Sequence, residues 1–125
     1  MGLRVTGIDH VVWNVRDARA SLAWWVELLG ATPLRVAEWE AGEVPFVSAR
    51  LDDTTIVDLV ERPPDGTNVD HVCVTVEGED LADVATSGTF DVLGPPAPLY
   101  GARGTGTGLY VRDPDGNTVE LRTYP

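Results

Sequence analysis

The chain has 125 residues, 43% of them hydrophobic, a length and apolar content that suit one compact domain with its own core. Its formal net charge of −11 repels phosphate backbones and anionic lipid, so neither a nucleic acid nor a membrane is expected as partner. All nine basic residues are Arg, which excludes Schiff-base lysine chemistry and P-loop phosphate binding, while the single Cys73 excludes an intramolecular disulfide and fits a reducing, cytoplasmic setting.

Neither a long apolar span nor a secretory-leader pattern is present in the sequence. Residues 6–15 are rich in β-branched side chains and predict a strand with His10, Val12 and Asn14 on one face and Val11, Trp13 and Val15 on the other. Asp17 is a natural N-cap for a helix to Leu29, with Ala18, Leu22, Trp25 and Leu29 at helical spacing and Gly30 as its stop. That apolar stripe is expected to cover the Val11, Trp13 and Val15 face of the sheet, and Trp13, Trp24 and Trp25 are assigned to the helix-packed core. Strands are predicted over 34–39, 46–51 and 54–61, the last two joined as a hairpin at Asp52-Asp53. The first module, about residues 5–61, thus reads βαβββ.

Arg62-Pro63-Pro64-Asp65-Gly66 cannot continue a central strand, and residues 62–68 form a connector. The cycle then restarts over about 69–124. Residues 69–76 alternate as a strand, 79–87 form a short helix with Leu81 and Val84 as its apolar contacts, and 90–93 are a third element. The Pro- and Gly-rich stretch 94–108 reads as a long loop, within which the run 101–108 reads as a mobile lid or pocket rim. Residues 109–112 and 117–124 close the chain as a hairpin around Asp113-Pro114-Asp115-Gly116.

Asp9-His10-Val11 recurs as Asp70-His71-Val72, and these are the only two histidines. Each is followed by a strand-borne carboxylate, Asp58 at a separation of 48 residues from His10 and Glu120 at 49 from His71. In the last strand Glu120, Arg122 and Tyr124 share the face opposite Val119 and Leu121, and by the same parity Asp58 lies opposite Val57 and Leu59. The expectation is that both histidines and both carboxylates face away from the helices, onto one concave surface. Imidazole nitrogen with carboxylate oxygen suits Zn, Fe(II), Mn, Ni or Co, with coordination positions left for water and substrate.

These residues resemble the vicinal oxygen chelate superfamily, which includes glyoxalase I, extradiol dioxygenases, methylmalonyl-CoA epimerase and the fosfomycin- and bleomycin-resistance proteins. The resemblance runs through Gly7-Ile8-Asp9-His10-Val11, Trp24-Trp25 before Leu28-Leu29-Gly30, Asp70-His71-Val72, and Tyr110-Val111-Arg112-Asp113-Pro114-Asp115-Gly116-Asn117-Thr118-Val119-Glu120. It implies an α+β fold of two βαβββ modules forming a cupped half-barrel, a divalent metal ion bound by His10, His71 and Glu120 with Asp58 as fourth ligand or proton-transfer base, a small-molecule substrate that chelates through adjacent oxygens, and a homodimer. Tyr110 becomes a candidate general acid or hydrogen-bond donor, and Arg122 and Arg103 candidates for an anionic substrate group.

The leading expectation is a lyase or isomerase of glyoxalase type. An Fe(II) extradiol dioxygenase is the alternative, although residues 98–107 lack the histidine those enzymes carry upstream of the tyrosine. A metal-free antibiotic-binding protein is the third reading. The glycine-rich run 101–108 precedes a strand instead of opening a helix, so it is not a dinucleotide site.

Overall fold

A computed structural model describes residues 2–64, 66, 68–112 and 116–125. The fold is mixed α+β, with nine strands and three helices among the described residues. It divides into two compact units, one made of His10–Asp70 and the other of residues 1–9 with His71–Pro125.

The His10–Asp70 unit takes the second half of β1 (Arg4–Val15), then α1 (Ala18–Leu29), β2 (Thr32–Leu34), α2 (Val36–Glu40), β3 (Val47–Arg50) and β4 (Ile56–Glu61). Its strands run in the order β2-β3-β4-β1, with β4 parallel to β1 and antiparallel to β3. Asp17 caps α1 by accepting from the Ala20 amide at 3.0 Å, and Gly30 ends it in the left-handed region at φ 74°. A cap of this kind is worth ~1 kcal/mol. Ala18 and Leu22 from α1 close over Val47, Ala49, Val57 and Leu59, with Val15, Trp25 and Val26 at the margin. The stripe is shorter than the sequence suggested: Leu29 is 60% exposed, Trp24 51% and Trp13 37%, so of those three tryptophans only Trp25 packs against this core.

Residues 34–39 are not one strand. Arg35 adopts φ 63°, which turns the chain out of the extended run, and Val36–Glu40 wind into a short helix. Val36 and Trp39, three residues apart, both pack on the core of this unit, and that helical spacing prevails over the alternation of Leu34 and Val36.

The other unit contains the first half of β1, β5 (Val69–Glu77) from His71 onward, α3 (Leu81–Thr86), β6 (Asp91–Val92), β7 (Ala97–Gly101), β8 (Gly104–Arg112) and β9 (Thr118–Thr123). Its strand order is β5-β9-β8-β6, with β7 paired to β8. Asp80 caps α3, whose Leu81 and Val84 meet Val76, Leu109, Val111 and Leu121. From the first half of β1, the Thr6 hydroxyl donates to Thr75 Oγ1 at 2.8 Å.

The predicted loop over 94–108 is largely β structure. Ala97–Gly101 and Gly104–Gly108 pair antiparallel across Ala102-Arg103. Proline is tolerated because β7 pairs on one side only, with β8, as an edge strand. The glycines answer to close approach. A Cβ on Gly101 would fall 2.6 Å from Arg122 Cζ and 2.6 Å from Asp9 Oδ2, and one on Gly108 2.8 Å from Glu120 Oε2. These residues therefore form a β-hairpin instead of a long loop. The expected turn at Asp113-Pro114-Asp115 and the connector residues Asp65 and Thr67 lie outside the described residues.

Candidate functional site

Each unit buries one His–carboxylate pair on the sheet face away from its helix. In the His10–Asp70 unit, Val12 pairs with Asp58 in the parallel β1–β4 ladder and Ser48 pairs with Asp58 in the antiparallel β3–β4 ladder. His10, two residues before Val12, shares its face. His10 Nε2 lies 3.8 Å from Asp58 Oδ2, and the Ser48 hydroxyl donates to Asp58 Oδ1 at 2.6 Å. All three residues are buried, together with Val12 and Asn14.

The pair in the other unit sits in a larger polar network. Glu120 is flanked in register by Cys73 on β5 and Tyr110 on β8. His71 Nε2 is 3.2 Å from Glu120 Oε1, and the His71 and Tyr110 rings meet edge to face at 5.1 Å. Glu120 Oε2 accepts from Arg122 Nε at 3.1 Å and Nη2 at 2.7 Å. The same guanidinium donates to the carbonyls of Leu99 at 2.8 Å and Tyr100 at 2.9 Å, and its Nε is 3.7 Å from Asp9 Oδ2. Asp9 in turn accepts from the Ala102 amide at 2.9 Å and from the Tyr124 hydroxyl at 2.5 Å.

Burial is the largest influence on Arg122 and works against its charge, but the Glu120 carboxylate, Cys73 and Tyr124 together outweigh it and lift the guanidinium pKa above its ordinary value. Burial pushes the Tyr110 phenol above its usual range, and the Glu120 charge and hydrogen bond push it further. Tyr110 is thus a hydrogen-bond donor at neutral pH. Burial, then the hydrogen bond to Asp9, raises Tyr124 to about 12.

The sequence located both His–carboxylate pairs but missed what holds them. Ser48 gave no signal beyond its place opposite Asp58 in a hairpin. Asp9 was visible only as part of the repeated Asp-His-Val, and the repeat misleads here, because Asp9 is fully buried while Asp70 is 3.6 Å from exposed Arg62. Arg122, expected to face an anionic substrate, has no exposed surface and spends its donors on Glu120 and two carbonyls. Arg103 lies at the β7–β8 turn with its guanidinium 4.3 Å from the Tyr124 ring.

Residues 7–121 match the sequence model of the Glyoxalase/Bleomycin resistance protein/Dioxygenase superfamily. The chain belongs to this superfamily. Among superfamily-fold structures, it superposes on methylmalonyl-CoA epimerase from Mycobacterium tuberculosis with a TM-score of 0.69 at 15% identity, covering 97% of this chain and 89% of the epimerase. It superposes on the Mn(II)-bound glyoxalase from Novosphingobium aromaticivorans with a TM-score of 0.67 at 19% identity, covering 97% of this chain but only 40% of the glyoxalase. In sequence it is 24% identical over 121 residues to virulence protein STM3117 of Salmonella typhimurium, covering 94% of this chain and 83% of that protein. The α+β architecture is therefore the superfamily's. No helix among the described residues is long and apolar enough to cross a membrane.

The donor set suits the divalent ion that the superfamily implies. Two donors bound at about 2.0–2.2 Å to one ion stand ~3.0 Å apart at a right angle and ~3.4 Å apart in a tetrahedron. The 3.2 Å of His71–Glu120 falls in that range, and the 3.8 Å of His10–Asp58 lies a few tenths of an ångström beyond it. In both carboxylates the oxygen turned away from the histidine carries its own donor, Ser48 or Arg122. Such outer hydrogen bonds are what orient metal-ligating carboxylates.

Proposed function

We propose that the chain is a divalent-metal-dependent enzyme of glyoxalase type, a lyase or isomerase acting on a small substrate with two adjacent oxygens. The observation that carries this reading is the buried His–carboxylate pair in each unit, each with one carboxylate oxygen already held by a protein donor. His10, His71 and Glu120 bind the ion and Asp58 is the fourth ligand or the proton-transfer base. A divalent ion there supplies Lewis acidity to the substrate oxygens. Tyr110, kept protonated by burial and by Glu120, donates a hydrogen bond to substrate. Arg122 is assigned to holding Glu120 instead of to the substrate, which leaves Arg103, at the β7–β8 turn, as the candidate for an anionic substrate group.

In this reading the chain is one domain of two modules, about 5–61 and 69–124, working as a cytoplasmic homodimer. The apolar side chains Trp24, Leu28 and Leu29 exposed on α1 support self-association. Sedimentation at micromolar concentration is expected to give a dimer.

The test is metal analysis of protein purified without added ions, followed by titration with Mn(II), Co(II), Ni(II), Zn(II) and Fe(II), and assays on a methylglyoxal hemithioacetal and on catechol. One equivalent of ion and turnover of the hemithioacetal are expected. Catechol cleavage under air with iron would move the protein to the dioxygenases. Rejection of every ion by the wild type, with tight binding of an antibiotic, would sink the enzyme reading in favour of a sequestering protein.

A further inference from the structure

We propose that Arg122 is a positioning residue that locks Glu120 and the β7–β8 hairpin into one geometry, so that Glu120 Oε1 stays directed at His71. Its consequence for metal affinity rests on the function proposed above, whereas its consequence for His71 and the hairpin does not.

Three observations within this unit converge. First, the planar guanidinium makes four hydrogen bonds to three partners, two to Glu120 Oε2 and one each to the carbonyls of Leu99 and Tyr100. Both Glu120 bonds go to the same oxygen, which fixes the carboxylate's rotation and leaves Oε1 at 3.2 Å from His71 Nε2. Only a rigid fork of donors spans a carboxylate on β9 and two carbonyls on β7 together; a lysine ammonium is a point charge on a flexible stem.

Second, the backbone leaves room for this lock and nothing else. Gly108 pairs with Arg122 in the β8–β9 ladder, and a Cβ there would press on Glu120 Oε2 at 2.8 Å; a Cβ on Gly101 would press on Arg122 Cζ at 2.6 Å. Third, a second buried carboxylate, Asp9, lies 3.7 Å from Nε. Asp9 accepts from the Ala102 amide at the hairpin turn and from Tyr124, whose hydroxyl also accepts from the Arg103 amide at 3.2 Å. The β7–β8 hairpin is thereby held by its carbonyls through Arg122 and by its turn amides through Asp9 and Tyr124.

The experiment uses the full-length protein, first without metal, reading the His71 ring resonances by nitrogen-detected NMR and the amide exchange of Ala102 and Arg103. Arg122→Met is expected to displace the His71 resonances and to speed exchange at the turn by at least about tenfold. Arg122→Lys keeps the charge and is expected to restore folding and part of the exchange protection, with His71 still displaced. Tyr124→Phe is expected to loosen the turn amides while His71 stays near its wild-type position. Titration with Co(II), read by its d–d absorption, is expected to show affinity ten- to a hundredfold weaker in both Arg122 variants.

Wild-type His71 resonances in Arg122→Lys, or in a folded Arg122→Met, would overturn the proposal. Should Arg122→Met fail to fold, Arg122→Lys carries the test alone. Wild-type protein that ignores Co(II) while His71 still moves in Arg122→Lys would uphold the positioning role and defeat the metal reading only.

Discussion

The two units bury the same pair of side-chain types and hold the carboxylate in different ways. In the His10–Asp70 unit the donor to Asp58 is a neutral hydroxyl, Ser48. In the other it is a charged guanidinium, itself enclosed by a second carboxylate and two carbonyls. A buried charge that loses its closest counter-charge is expensive, whereas a neutral hydroxyl that loses its acceptor costs less. The Glu120 pair is therefore tied more tightly into the stability of its unit than the Asp58 pair.

The sharpest break of that comparison removes one carboxylate at a time. Glu120→Ala leaves the Arg122 charge buried with Asp9 alone beside it at 3.7 Å, and is expected to cost ~3–5 kcal/mol by chemical denaturation. Asp58→Ala strands the neutral Ser48 hydroxyl and takes the carboxylate from beside His10, and is expected to cost ~1–3 kcal/mol. Titration calorimetry with Mn(II) should show weaker binding in both. Equal destabilisation would show that the guanidinium and the hydroxyl are equivalent anchors, contrary to the difference drawn above.

How much of this was legible in the sequence follows the same division. Helices α1 and α3, the Asp17 cap and the period-two alternation of β1, β5 and β9 depend on local residues, and so they could be read directly. Strand parity then put Asp58 opposite Val57 and Leu59, and Glu120 opposite Val119 and Leu121, as the two cores bear out. The β7–β8 hairpin was illegible because its glycines and prolines are turn residues by composition. Their cause is nonlocal: side chains of Tyr124, Arg122 and Glu120 occupy the space where a Cβ would stand. The Asp9–Arg122 approach spans more than a hundred residues of chain, and no local pattern encodes it. Leu34–Trp39 failed for the opposite reason, since a single residue, Arg35 at φ 63°, redirects a locally plausible strand.

That account of the glycines gives a second test, of intermediate size. Gly108→Ala sets a methyl 2.7 Å from Leu99 Cδ1 and 2.8 Å from Glu120 Oε2, and is expected to cost ~1–3 kcal/mol through overpacking against a held carboxylate. Gly94→Ala, with nothing within 4 Å of the added Cβ, is expected to stay within about 0.5 kcal/mol of wild type. Parity between the two variants, measured by urea denaturation, would mean that the Glu120 side chain yields and is not locked.

The smallest effect uses a division of chromophores that coincides with the division of units. All four tryptophans, Trp13, Trp24, Trp25 and Trp39, lie within 10–70, and all three tyrosines, Tyr100, Tyr110 and Tyr124, lie in the other unit. Burial and Asp9 hold the Tyr124 pKa at about 12, above the ~10 of an unfolded phenol. With the folded value the higher one, the unfolded chain loses its proton first as pH rises. The Tyr124 contribution is therefore complete below about pH 10 and is lost progressively between there and about pH 12. Tyr110, shifted in the same direction, adds to the alkaline loss. Denaturation midpoints followed by tyrosine absorbance and by tryptophan emission from pH 8 upward should both fall, and Tyr124→Phe should flatten the decline while lowering the midpoint at pH 8 by the loss of one hydrogen bond, ~1 kcal/mol. A wild-type slope retained in Tyr124→Phe would remove Tyr124 from the set of groups that couple this unit's network to pH, leaving Tyr110 and its contact with Glu120 to account for it.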